Sequence, residues 1–168
     1  VKMAHTPSRT FYGSAYTPGA KSKPLCWSNN AQTPDAEVKE PQAPACNQCK
    51  HSIRGATPAC KLSWRTAVVV PGDPSGDIYQ LVLPSTSCWQ KEDSGKWGFR
   101  PYIQMLAANN VSASRVVTKM QFDTKTKYAK VLFSPAAAVA ENDYEVIKSQ
   151  GKSSQAESAV KLTVYKQD

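Results

Sequence analysis

Cys46-Asn47-Gln48-Cys49 is a C-x2-C pair, flanked by Cys26 nineteen intervening residues upstream and Cys60 ten intervening residues downstream. A C-x2-C turn sets two thiolates on one side of a metal and leaves backbone N–H groups for the sulfurs. The outer cysteines can complete a tetrahedron, because loops of this length close at modest entropic cost. The spacing therefore predicts structural Zn2+ held by Cys26, Cys46, Cys49 and Cys60, with no open position for catalysis. Free thiols and a pair of disulfides are the alternatives. Four cysteines in a proline-rich, weakly apolar segment disfavour the first, and the lack of a secretory pattern disfavours the second. His51 follows Cys49 by two residues and would crowd the same face, and Cys88 between Ser87 and Trp89 is expected to be a buried small hydrophobe.

No catalytic constellation accompanies the cysteines. There is no Gly-rich phosphate loop, no Gly-x-Ser-x-Gly, no His-Glu-x-x-His and no deaminase-type His-x-Glu. The only histidines, His5 and His51, have no carboxylate beside them in sequence, and Asp73, Asp77, Glu92 and Asp93 sit in loop-like stretches. An enzyme is not expected.

A second constellation alternates cations with rings. Arg9, Phe11, Tyr12, Tyr16, Lys21, Lys23 and Trp27 form one run, and Lys61, Trp64 and Arg65 another. A third holds Trp89, Lys91, Lys96, Trp97, Phe99, Arg100 and Tyr102. Single-stranded nucleic acid is bound by this mixture: cations track phosphates while exposed rings stack on unpaired bases, tolerant of sequence. Any one of these rings could equally be core. The charge distribution agrees with the first runs. Of the formal +8, residues 1–65 carry nine Lys/Arg against three acids, and the remainder twelve against ten. An excess beside the cysteines points to a polyanion surface.

The elements that must position these residues divide at about Trp64. Seven of the 12 prolines (Pro7, Pro18, Pro24, Pro34, Pro41, Pro44, Pro58) precede residue 60. Long helices are excluded there, since each Pro removes a donor and blocks the preceding turn. Residues 64–70 and 78–83 are strand-like and flank the turn-rich Pro71-Gly72-Asp73-Pro74, predicting a hairpin. Phe99, Tyr102, Ile103 and Leu106 repeat at helical spacing over residues 99–109, with Pro101 tolerated in the first turn. Residues 116–122 and 128–133 alternate as a hairpin around Asp123-Thr124-Lys125-Thr126-Lys127. With Ala129, Val131 and Phe133 inward, Tyr128 and Lys130 face outward and Lys119 can join them. Residues 141–150 predict a helix stopped by Gly151, then a short helical turn near 153–157 and a last strand over 161–165.

At 168 residues, 40% apolar and 20% charged, the chain suits one packed domain, and no apolar run approaches the roughly 20 residues of a membrane span. Val1 in place of Met, with no signal-like apolar core after it, fits a chain starting within a longer reading frame, in a reducing cytoplasm.

The chain resembles a family of tailed-bacteriophage proteins thought to bind single-stranded DNA. The likeness rests on Pro24-Leu25-Cys26-Trp27-Ser28-Asn29-Asn30, Thr33-Pro34-Asp35, Pro41-Gln42, Cys46-x2-Cys49 and Ala59-Cys60. It continues through Gly76-Asp77-Ile78-Tyr79-Gln80-Leu81 and Tyr144-Glu145-Val146-Ile147-Lys148-Ser149-Gln150-Gly151, together spanning most of residues 9–165. In architecture the chain also looks like the T4-type helix-destabilising proteins, OB folds with a zinc-bearing insertion. Those use one His and three Cys where this chain offers four Cys. The resemblance implies DNA replication or recombination in the cytoplasm of an infected bacterial host, with replication or recombination proteins as further partners. Such binders commonly end in an acidic tail, and Lys166-Gln167-Asp168 is not one.

The expected fold is a β-rich α+β single domain over 1–168, an OB-like barrel with a zinc subdomain at about residues 20–62. The expected function is sequence-tolerant binding of single-stranded DNA, without membrane association. Nucleic-acid contacts are expected from Arg9, Phe11, Tyr12, Tyr16, Lys21, Lys23, Lys61, Trp64, Arg65, Lys119, Tyr128 and Lys130, joined as one groove. A zinc-ribbon adaptor for a polymerase or other protein, and a virion structural protein with zinc as a staple, are the rival readings.

Overall fold

A computed structural model describes every residue except Val1, His5, Tyr16, Ala20, Lys21 and 165–168. The chain is a mixed α+β protein, roughly a quarter helix and a quarter strand. It forms two compact units, one of Val1–Met3 and Thr66–Val160, the other of Ala4–Arg65 and Lys161–Asp168. The first is called here the helix–hairpin unit and the second the cysteine unit.

In the cysteine unit, strands β2 (Ser8–Phe11), β3 (Cys26–Ser28) and the first part of β4 (Lys61–Val68) make an antiparallel ribbon. Arg9 lies opposite Ser28 and Phe11 opposite Cys26, while Ser8 lies opposite Ser63 and Thr10 opposite Lys61. Residues directly opposite share a face, and successive residues alternate. Arg9, Phe11, Cys26 and Ser28 therefore line one face; Ser8, Thr10, Lys61 and Ser63 line the other. Between β3 and β4 only 3-10 turns form, at Cys46–Gln48 and Lys50–Ser52. Side chains hold the rest of this loop. Asn30 Oδ1 accepts from the backbone N–H of Gln32 and Thr33, and Asp35 Oδ1 from Glu37. These Asx turns satisfy backbone donors that prolines deny to regular structure.

The helix–hairpin unit contains β1 (Lys2–Met3), the end of β4, β5 (Tyr79–Pro84), α1 (Phe99–Ala108), β6 (Val116–Phe122), β7 (Val131–Ala138), α2 (Glu141–Gln150) and α3 (Ser154–Ala159). β1 pairs antiparallel with β4 through Lys2–Ala67 and Met3–Thr66, and β5 pairs with β4. The helix over 99–109, the hairpin over 116–133 and the helix over 141–150 form where the periodicity places them. Pro101 sits in the first turn of α1, where its missing N–H costs nothing. α3 is capped by Ser153, whose hydroxyl accepts from the Ala156 N–H.

Three boundaries differ from expectation. β7 begins at Val131 and continues to Ala138, because Thr126 caps the loop by donating to the carbonyls of Asp123 and Tyr128. β3 was too short to carry an alternation signal. Residues 161–164 are not strand, and Tyr165 of the expected last strand lies outside the described residues.

The barrel is a correction. The antiparallel sheets are not closed into a barrel: β6 and β7 form a two-stranded sheet, extended on the β7 side by a single bridge between Phe133 and Trp97. Closure requires continuous pairing on both edges of every strand. Pro135 interrupts β7 beside a register shift at Val117/Thr118, and a Pro cannot donate to a ladder. The hairpin packs on α1 instead. Phe133 is buried against Phe99 (ring centroids 5.3 Å) and Tyr102 (6.1 Å), and Tyr102 Oη bonds Thr118 Oγ1 at 2.8 Å. Among the described residues no helix is long and apolar enough to cross a membrane.

Candidate metal centre and nucleic-acid surface

All four cysteines of the predicted set line one small, open cavity, together with Arg9, Phe11, Trp27 and Ser52. The register explains Cys26: opposite Phe11, it points to the face that the 46–49 turn covers. The Cys49 N–H donates to the Cys46 carbonyl, which tightens the C-x2-C turn, and the Cys46 N–H donates to Gln32 at 2.8 Å. Cys60 is anchored by its N–H to the His51 carbonyl at 2.7 Å. His51 itself stacks on Phe11 at 4.2 Å and bonds the Pro58 carbonyl through Nδ1, so its ring is engaged away from the thiols' task. All five cysteines are free, none in a disulfide.

Four thiols on one cavity wall are a soft donor set suited to a tetrahedral metal. As placed, no group of three or more His, Cys, Asp or Glu among the described residues is already set to hold an ion. Burial pushes the Cys60 thiol up, opposed by the Arg9 guanidinium and by hydrogen bonds from Arg9 and Ser52. Cys88 lies elsewhere, fully buried, its Sγ donating to the Pro84 carbonyl; burial pushes its pKa up to about 11. It is the small hydrophobe expected.

Within the cysteine unit, the described residues expected to bind nucleic acid do not share one surface. Phe11 and Trp64 are buried, so their ring faces are already covered. Arg9 turns into the cysteine cavity, whereas Arg65 donates to the hydroxyls of Ser8 and Ser63 on the opposite face of the ribbon. Strand alternation separates them: residues of opposite parity cannot share a surface. Burial lowers the Arg65 pKa from its ordinary value. Lys23 sits over the Trp27 ring at 5.2 Å. Tyr12 and Lys61 are exposed; Tyr16 and Lys21 lie outside the described residues.

On the helix–hairpin unit, Lys119 is exposed, while Lys130 is largely covered, pairing with Asp123 (3.3 Å) and with Gln90 Oε1. Backbone N–H donation from Lys125, then Lys130, holds the Asp123 carboxyl below its usual range. Tyr128 is 57% exposed, and two neighbours absent from the expected contacts are as open, Trp89 at 54% and Phe122 at 72%. These three belong to one fixed assembly. Ser87 Oγ accepts from the Val131 N–H, Gln90 meets Lys130, Lys125 reaches Asp93 at 3.4 Å, and Val131 lies opposite Phe122. The Gly98 N–H ties the loop to α1 through the Gln90 carbonyl, and Arg100 lies over the Trp89 ring at 5.0 Å. Around the rings, Lys91, Lys96 and Lys127 make no ion pair among the described residues. The signal for Trp89 was its place in the third ring–cation run, away from the helical repeat that buries Phe99 and Tyr102. Phe122 carried none, since its parity matches that of the buried face.

Against known proteins, no family model, no curated protein and no solved structure matches the chain.

Proposed function

We propose that this protein binds single-stranded DNA with little regard to sequence, on the exposed rings and lysines of the helix–hairpin unit. The cysteine unit is a structural module closed by Zn2+ on Cys26, Cys46, Cys49 and Cys60. The observation that carries the reading is the grouping of Trp89, Phe122 and Tyr128, three exposed side chains with planar faces, on elements locked to one another. Residues 89–100 and 122–130 supply six cations against three carboxylates, two of which are paired with Lys125 and Lys130. Rings contribute affinity only where bases are unpaired, and the cations act on any phosphate. The likeness to phage single-strand binders, and a role in replication or recombination, belong to the same proposal. An OB relationship would concern binding mode alone.

The test is fluorescence anisotropy with oligo(dT), duplex DNA and RNA of equal length at two salt concentrations. Single strands should bind more tightly than duplex, and Trp89→Ala should weaken them by about 1–3 kcal/mol at nearly constant salt slope. Lys127→Ala should instead reduce the slope by about one unit. Equal affinity for duplex and single strands would replace this reading with a generic basic surface. No nucleic-acid binding at all would favour the protein-adaptor reading.

A further inference from the structure

Among the described residues that line the cysteine cavity, Arg9 is the one cation and none is a carboxylate. A guanidinium is charged at every accessible pH. Its Nε is buried with no hydrogen-bond partner among the described residues, and Arg9 forms no ion pair there. The contact it does make is with the sulfur of Cys60. Arg9 is half-buried, so its buried Nε and its place on the cavity wall, and not a wholly covered charge, are what call for a partner. The other lining side chains are Phe, Trp, Ser, Pro, Gln and Ala, none of which ionises as an acid in the physiological range. Among the described lining residues, the four thiols are the groups that metal binding would convert to anions.

We infer that Arg9 is the charge-balancing and positioning partner of a tetrathiolate metal centre, donating N–H to the Cys60 sulfur, and is not a phosphate contact. This rests on the zinc reading above. Four thiolates around one divalent ion leave a net charge of minus two, unfavourable in a partly buried cavity unless a cation stands close. Arg9 supplies that cation from β2, a strand whose register fixes it on the same face as Cys26. The covalent spacing of the cysteines supplies the ligands; the strand supplies the counter-charge. Outer partners of this kind typically change metal affinity by 10–100-fold.

The experiment measures zinc affinity of the full chain by competition with a chromophoric chelator, and the thiolate-to-metal bands of the Co2+ form. Arg9→Gln and Arg9→Met should bind zinc about 10–100-fold more weakly than the parent, and Arg9→Lys should recover most of the loss. Zinc-loaded Arg9→Gln should bind oligo(dT) with the parent's salt slope. Parent-like zinc affinity in both neutral variants overturns the inference. So does a lysine variant as weak as the neutral ones, which would mean shape and not charge, or a salt slope reduced by about one with zinc affinity intact. If the neutral variants do not fold, the lysine variant decides: near-parent affinity supports the inference and a full loss overturns it. A parent that takes up no zinc removes the metal reading itself, a result distinct from all of these.

Discussion

Between residues 29 and 60 the chain forms nothing more regular than two 3-10 turns, whereas between 99 and 159 it forms three helices and a hairpin. The difference lies in how each region offsets chain entropy. Phe99, Tyr102, Leu106, Leu132, Phe133, Ile147 and Ala156 are buried in the second region, spaced so that each element contributes an apolar face. In the first, the buried apolar side chains are Val38, Cys46 and Cys49, too few to order thirty residues by burial. Side chain–backbone turns do the ordering there. One region is built by packing, the other by local bonds, with the zinc proposed above as its cross-link.

The largest test of that contrast is Cys49→Ser. Apparent binding energies of structural zinc are about 10–16 kcal/mol, so removing a ligand should unfold the cysteine unit and abolish stoichiometric zinc. The helix–hairpin unit should keep its helical circular dichroism and the environment of Trp97. If both units melt together, the contrast is wrong. A chelator should act on the parent in the same way, and then expose four thiols to a disulfide reagent while Cys88 stays protected until global unfolding. Burial holds that thiol protonated with a pKa of about 11.

Next is Phe133→Ala, which removes the ring against which Phe99 and Tyr102 pack. Large-to-small changes at such a site cost about 3–5 kcal/mol, measured by urea unfolding, with zinc uptake unchanged. Gly98→Ala should cost less, about 1–3 kcal/mol, because a methyl group there would stand 2.6 Å from the Gln90 nitrogen and force the Trp89 loop away from α1. It should also weaken DNA binding, since Trp89 rides on that loop. A stable Gly98→Ala protein with parent-like affinity would separate the loop from the binding surface.

The same contrast governs what could be read from the sequence. Helical spacing of Phe99, Tyr102 and Leu106, and alternation over Val116–Phe122, are direct images of burial, so those elements were legible. The convergence of the four cysteines was legible from their spacing, since all four line one cavity. Sheet closure was not, because alternation fixes which face is buried but not which strand is the neighbour. Nor was the face of the ribbon each cation takes, for a related reason. Arg9 and Arg65 look equivalent as basic residues beside rings, and only the pairing of Ser8 with Ser63 and Phe11 with Cys26 puts them on opposite faces.

The smallest effect concerns a single hydroxyl in the packed unit. Tyr102 is almost wholly buried, and its hydroxyl meets Thr118 Oγ1 across the gap between α1 and β6. Tyr102→Phe leaves the ring in place but strands Thr118, which should cost about 1 kcal/mol in urea unfolding. Adding Thr118→Val removes both partners together and should restore much of that loss, because the penalty comes from the unpaired polar atom more than from the absent bond. The pH dependence gives an independent check. Burial raises the Tyr102 pKa, with the Thr118 bond opposing it. The folded state thus holds its proton more tightly than the unfolded chain, whose tyrosines titrate near 10. That contribution is fully present below pH about 10 and is lost as pH climbs through the raised folded value, so parent stability should fall there. Tyr102→Phe should flatten the decline above pH about 10 without altering the curve near neutrality. An identical alkaline decline in parent and variant would show that this hydroxyl is not what titrates, and would leave the ring packing alone to account for the site.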